Sequence, residues 1–224
     1  MDYELRLYDQ LLQFPLFQGL SRADLQQMAG NTKFGFMKAS ARKVVVRPGD
    51  ACQQLFFLVS GKLQVTTASD DYSYSVDEHL SAPYMFQPEV LFGLSQRFTH
   101  TFQTTSECHF ITLSKDEVMR LLDDFLIARL NLLGILSTRH QRLSHRPWRR
   151  APQSLEERVV HFFIDRCVYP AGSKVFHILM RQLAAEVGDS RLDVSRVLNT
   201  LQSRGLLSLS RGCITIPSLE HLLM

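Results

Sequence analysis

Four cysteines occur in the 224 residues, Cys52, Cys108, Cys167 and Cys213, and they stand far apart with no C-x-x-C pair among them. That spacing suggests neither a disulfide framework nor a zinc ribbon, which leaves free thiols. Long apolar runs are also missing: no uninterrupted stretch reaches membrane-spanning length. The N-terminus, MDYELRLYDQLLQF, carries acids where a secretory signal has a basic flank followed by an apolar run. A cytoplasmic protein with no membrane partner is expected. Nothing supplies a nucleophile with a base, a carboxylate pair or a Gly-rich phosphate loop, so no catalytic residue is assigned and no enzyme is expected. His100, His109, His140, His145, His161 and His177 form no H-x-x-x-H pair. Neither a metal site nor a cofactor is therefore expected.

An apolar share of 45% is ordinary for a chain with real cores and excludes disorder. The net charge of +3 conceals an asymmetry: residues 1–138 hold 12 Lys/Arg against 15 Asp/Glu, net −3, while residues 139–224 hold 13 against 7, net +6. The basic end is the candidate for a polyanion partner.

Along the chain the hydrophobic period changes twice. Ser21 stands three residues before Asp24, a capping-box variant that predicts a short helix with Leu25 and Met28 inward. From Lys33 to Leu113, KVVVRPGD, LFFLVSGKLQVTT (two strands about Ser60-Gly61) and FQTTSECHFITL read as short strands between turn signals, hence an antiparallel roll or barrel. Ser114 and Glu117 then cap a predicted helix running to about His145. Leu126, Leu130 and Leu133 make one apolar stripe on it, and Leu132, Leu136 and Leu143 a second, partly offset one. A helix apolar on two sides needs two surfaces to cover it, its own domain and a second copy, which predicts a homodimer. Pro147 and Pro152, among clustered charges, mark a boundary, and Ser154 with Glu157 caps the next helix.

The last third carries the motif. In LAAEVGDSRLDVSRVLNTL, Leu183, Ala184 and Val187 give a first helix its inner face, Gly188 suits a tight corner, and Ser190 caps a second helix with Asp193 at the matching position. Val194, Val197, Leu198 and Leu201 fall on one face of that second helix, while Arg191, Leu192, Ser195, Arg196 and Asn199 fall elsewhere. This is the pattern of a helix-turn-helix whose second helix lies in the DNA major groove. GLLSLSRGCITI alternates about Ser210-Arg211-Gly212 as a hairpin would, making a wing with Arg211 at its tip, placed for a phosphate. The candidate DNA-binding residues are Arg181, Ser190, Arg191, Leu192, Ser195, Arg196, Asn199 and Arg211. The linker arginines Arg146, Arg149 and Arg150 are further phosphate candidates.

The order of roll, long helix and winged helix, with FFLVSGKLQV early and LAAEVGDSRLDVSRVLNTLQSRGLL late, resembles the Crp/Fnr family of bacterial transcription regulators over nearly the whole chain. The resemblance is most specific at GDSRLDVSRVL, similar to the family's G-x-S-R-E-T-V-S-R-V-L. It implies an α+β protein with a cyclic-nucleotide-binding-like roll over residues 1–113, a dimerisation helix over 114–146 and a winged helix-turn-helix over 147–224. It implies double-stranded DNA and RNA polymerase as partners, with Arg191, Leu192 and Arg196 at the base-reading positions. Leu192 departs from the usual glutamate and cannot accept a hydrogen bond from cytosine. The family's nucleotide cassette has F-G-E followed by R-S-A or R-T-A, whereas LFGLSQRFTHTF puts Leu94 at the glutamate and Phe98 after Arg97. Glu89 is the one displaced substitute in reach. Control by cyclic AMP is therefore not expected, and any small-molecule effector is left unassigned. The family's iron–sulfur members carry cysteines close to the N-terminus, and none precedes Cys52 here. The alternative is a ligand-sensing roll that signals to a protein partner, but such modules lack a winged helix.

Overall fold

A computed structural model describes residues 2–223 apart from Arg149 and Pro170, without the side chains of residues 2–6, Arg146 and Leu223. In chain order the elements are α1 (Asp2–Leu11), α2 (Arg22–Asn31), β1 (Gly35–Ala39), β2 (Val44–Val46), β3 (Gln54–Ser60), β4 (Lys62–Ala68), β5 (Ser75–Ser81), β6 (Tyr84–Met85), α3 (Pro88–Leu91), β7 (Thr101–Thr104), β8 (Cys108–Ser114), α4 (Lys115–Asp124), α5 (Leu126–His145), α6 (Leu155–Asp165), β9 (Lys174–His177), α7 (Met180–Val187), α8 (Arg191–Ser203), β10 (Ser208–Ser210) and β11 (Cys213–Ile216). They form two compact units. The first holds residues 1–63, 81–99 and 103–149; the second holds 64–80, 100–102 and 150–224.

In the first unit, antiparallel strands run in the order β1-β8-β3-β6. The β3–β4 turn needs glycine: Gly61 has φ +104°, and a Cβ there would lie 2.5 Å from the Glu107 carbonyl oxygen. Leu55, Phe57, Ile111 and Leu113 of this sheet are buried, as are Phe14, Phe17, Val118 and Leu121. Phe14 meets Phe57 edge-on at 5.1 Å.

The sequence predicts one helix from Ser114 to about His145, and the chain makes two. Phe125 leaves helical geometry (φ −123°, ψ 100°) and is itself buried. The carbonyls that lose helical partners at the end of α4 are recovered by Arg129, whose guanidinium donates to the carbonyls of Leu122 (2.7 Å) and Asp123 (3.2 Å). Of the two predicted stripes on α5, Leu132 is buried and Leu136 half-buried, whereas Leu126, Leu130, Leu133 and Leu143 are exposed.

The second unit contains α6, α7 and α8 against a sheet that reads β10-β11-β9-β5-β4-β7. Its core gathers Val159, Phe163, Phe176, Leu183, Val194, Leu198, Leu201 and Ile214, and also Val76 from β5. Strand β5 pairs antiparallel with β9 from Ser75↔His177 to Glu78↔Lys174, while β11 pairs with the other edge of β9. The pairing of Lys174–His177 with residues about a hundred positions earlier does not follow from either sequence segment.

Candidate nucleic-acid interface

The helix-turn-helix is built by its caps. Helix α7 ends at Gly188 in the left-handed region (φ 66°, ψ 47°), and the Asp189 amide donates to the Ala184 carbonyl at 3.1 Å, closing the corner. Ser190 opens α8: its Oγ accepts from the Asp193 amide at 3.1 Å and donates to Asp193 Oδ2 at 2.7 Å. The corner is also braced from outside. Asp189 Oδ1 accepts from the Ser190 amide at 2.7 Å, and Oδ2 accepts from Arg158 of α6 at 2.5 Å. This brace was not among the sequence expectations, because an arginine in α6 carries no signal of a partner 31 residues away.

Inward, α8 presents Val194, Leu198 and Leu201, all buried, with Val197 half-buried. Outward, Arg191, Leu192, Arg196 and Asn199 are exposed and Ser195 is half-exposed. Leu192 is 62% exposed. A leucine so placed at the start of a helix does nothing for the core. Arg196 is tied to Asp193 Oδ1 at 3.1 Å, so one carboxylate both completes the cap and holds an outward-facing guanidinium.

Between the start of α8 and the wing lies a groove of about 580 Å³ floored by Ile178, Leu209 and Ile214. Arg181, Arg191 and Arg211 line it from α7, α8 and the wing tip. Among the described residues none of these three arginines has a carboxylate partner, while Arg158, Arg166, Arg196 and Arg204 each have one within 2.5–3.1 Å. Guanidinium groups without a carboxylate partner offer donors in a fork geometry suited to phosphate. The structure thus brings Arg181, Arg191 and Arg211 together and puts Ser190, Leu192, Ser195, Arg196 and Asn199 on or at the start of the same helix. Of the linker arginines, Arg150 is exposed, while Arg149 and the Arg146 side chain lie outside the described residues. Leu179, exposed at the mouth of the groove, was missed by sequence reasoning, since an apolar residue before a helix reads as core.

The cassette region of the first unit is arranged otherwise. Phe86 stacks on Phe56 at 5.4 Å and meets Phe110 edge-on at 5.9 Å, and Phe98 closes against Phe56 at 6.2 Å. Leu94 is fully exposed. Arg97 donates to the Gly49 carbonyl at 2.7 Å, buried Gln87 is held by Thr99, and Glu89 is ion-paired with Arg139 of α5.

A β-roll followed by a winged helix-turn-helix with an unpaired arginine groove defines a DNA-binding regulator of the catabolite-activator type. Residues 36–125 match the cyclic nucleotide-binding domain family, and residues 157–224 match the Crp-like helix-turn-helix domain family. The chain belongs to the Crp/Fnr family of transcription regulators. It is 23% identical over 176 residues to the cAMP-activated global transcriptional regulator Vfr of Pseudomonas aeruginosa, covering 75% of this chain and 82% of that protein. It is 26% identical over 177 residues to the CRP-like protein Clp of Xanthomonas campestris, covering 74% and 76%. Among solved structures it shares its fold with the catabolite activator protein of Thermus thermophilus (TM-score 0.54, 22% identity, 94% of this chain and 96% of that one). The same holds for the c-di-GMP responsive regulator CLP of Xanthomonas campestris (TM-score 0.51, 21% identity, 88% and 99%). The α+β architecture expected from the sequence is the one observed. Among the described residues no helix is long and apolar enough to cross a membrane.

Proposed function

We propose that the protein works as a homodimer on an inverted-repeat operator, and that cyclic AMP does not control it. The observation that carries the DNA reading is the groove of three unpaired arginines beside the exposed outer face of α8. In that reading Arg191, Leu192 and Arg196, flanked by Ser195 and Asn199, meet base edges, while Arg181, Ser190 and Arg211 meet phosphates. Support for a dimer comes from α5, where Leu126, Leu130 and Leu133 leave a row of apolar side chains in water, Leu130 at 56% exposure. A second copy of the same helix covers such a row in the spacing of a coiled coil. Two-fold symmetry then sets half-site centres about 34 Å, or roughly 10 to 10.5 base pairs, apart.

Independence from cyclic AMP rests on chemistry. The Phe56, Phe86, Phe98 and Phe110 rings pack on one another on the cassette side of the roll, and Leu94 offers no acceptor to a ribose. Arg97 and Glu89, the groups nearest in sequence, already have other partners. A buried phosphate without a paired charge is costly. RNA polymerase is the partner through which a DNA-bound regulator of this kind acts. No residue of the chain is given a catalytic role.

Gel-shift binding to random genomic fragments, with and without a competing polyanion, tests the DNA reading. Specific complexes that survive the competitor are expected, and their absence overturns it in favour of signalling to a protein. Sedimentation at micromolar concentration tests the dimer, and a monomer there overturns it.

A further inference from the structure

Helix-turn-helix and wing account for residues 150–224, yet the unit they belong to also takes residues 64–80. The junction is not casual. Glu78 of β5 and Lys174 of β9 are 0% and 1% exposed and pair at 2.9 Å. The second Glu78 oxygen accepts from the Val168 amide at 2.8 Å, and the first also accepts from the Tyr169 amide at 3.1 Å. Two buried charges are tolerated only when they are paired, and here the Glu78 oxygens take two backbone amides besides; removing one charge leaves the other stranded. Around this node Val76 sits in the core of the unit, and the Tyr74 hydroxyl accepts from Arg166 at 2.7 Å. Strand β5 takes the edge of β9 opposite to the wing, and Arg191, Leu192 and Arg211 stay exposed with the pairing made.

We propose that β5 is a working strand of the DNA-reading module, and that Glu78 is a positioning residue that fixes, through Lys174 and β9, where the wing and α8 are held. This rests on the dimeric-operator reading above. The chain of the first unit runs directly into and out of the segment that holds this strand, at residues 63 and 81, so it joins the reading head there as well as through the 146–154 linker. In a dimer the two heads are a linked pair of binding groups. A stiff link concentrates the second head at one half-site spacing, and a loose one spreads it over several. Glu78 therefore acts on spacing preference and not on base preference.

The test uses the full-length dimer and a series of operators whose half-sites are moved apart one base pair at a time, with hydrogen exchange at β9 and the wing as a second readout. Wild type should show one sharp optimum. Glu78→Lys, which sets two like charges face to face, should raise exchange at residues 174–177. It should also cut the ratio of affinities between the optimum and an operator offset by about half a turn, roughly tenfold. A merely weakened fold would lower affinity at every spacing by the same factor. If Glu78→Lys does not fold, Asp77→Cys with Val175→Cys decides, because these strand partners face each other at a separation a disulfide spans. Oxidation should leave operator affinity and the optimum intact, and loss of binding on oxidation that reduction restores overturns the proposal. A sharp optimum that survives Glu78→Lys with exchange raised overturns the positioning role alone. A wild-type protein with no optimum overturns the dimeric-operator reading, and the positioning role with it.

Discussion

The α8 face and the cassette side of the roll handle polar positions in opposite ways. On α8, side chains that do nothing for the core are kept in water: Leu192 stands out, and among the described residues Arg191 has no carboxylate partner. On the cassette side Leu94 and Arg97 are exposed as well, but the polar groups present there have partners within the chain. Phe98 closes on Phe56, Arg97 bonds a backbone carbonyl, and Glu89 pairs with an arginine of α5. The difference separates a surface shaped for something absent from the chain from one that completes itself. Mutations should therefore cost stability in the roll and binding on α8.

The largest effect expected is Phe86→Ala. This ring is 1% exposed and touches Phe56, Tyr84 and Phe110, so its removal should lower unfolding free energy by about 3–5 kcal/mol in a urea titration. The cavity left behind supplies no carboxylate for a ribose. Calorimetric titration of wild type and Phe86→Ala with cyclic AMP or cyclic GMP should then show no specific binding to either. Micromolar affinity in wild type would mean that the aromatic wall opens, and the contrast with α8 would fail.

What the sequence disclosed follows the range of each interaction. The serine caps at 21, 114, 154 and 190 each join residues three positions apart, and they and the turns at Gly61 and Gly188 appear where the sequence places them. The inner face of α8 was legible for the same reason, since period 3.6 is a local property. The break at Phe125 was not, because helical periodicity runs through it. What decides there is burial of the ring and the reach of Arg129 back to two carbonyls. Least legible was β5. SVDEHLS shows a weak alternation, and nothing in it names Lys174 as the partner of Glu78. The arginine groove lies between these cases: each arginine could be named, but their convergence and lack of carboxylates needed the fold.

On α8 itself, Arg196→Ala should leave unfolding free energy within about 0.5 kcal/mol of wild type, as expected of an exposed position. The exposed ion pair it gives up with Asp193 is worth little. Binding should instead fall by about 1–3 kcal/mol per half-site, with preference relaxed at one base pair. Selection from a randomised operator library separates the outcomes. Equal weakening on every sequence would make Arg196 a phosphate contact. Leu192→Glu sharpens the point by a smaller step. Leucine at this place offers only apolar contact, as to a thymine methyl, so restoring an acceptor should move preference at that position toward cytosine.

The smallest effect belongs to Arg211→Ala, and it is the one that tells positioning from reading. Arg211 sits at the wing tip on the groove with Arg181 and Arg191, and the proposed reading gives it a phosphate oxygen, which every sequence presents. Its removal should weaken binding to specific and random DNA by the same factor and leave the library-selected operator unchanged. Each phosphate that an arginine neutralises releases condensed counterions, so the slope of log affinity against log salt should shrink by about 0.9 for every phosphate no longer neutralised. Over a fourfold change in salt that amounts to about a threefold smaller change in affinity per phosphate, measurable by fluorescence anisotropy at several salt concentrations. If the slope stays at the wild-type value while one base preference disappears, Arg211 reads sequence. The wing would then belong with the outer face of α8, and phosphate binding in the groove would rest on Arg181 and Arg191.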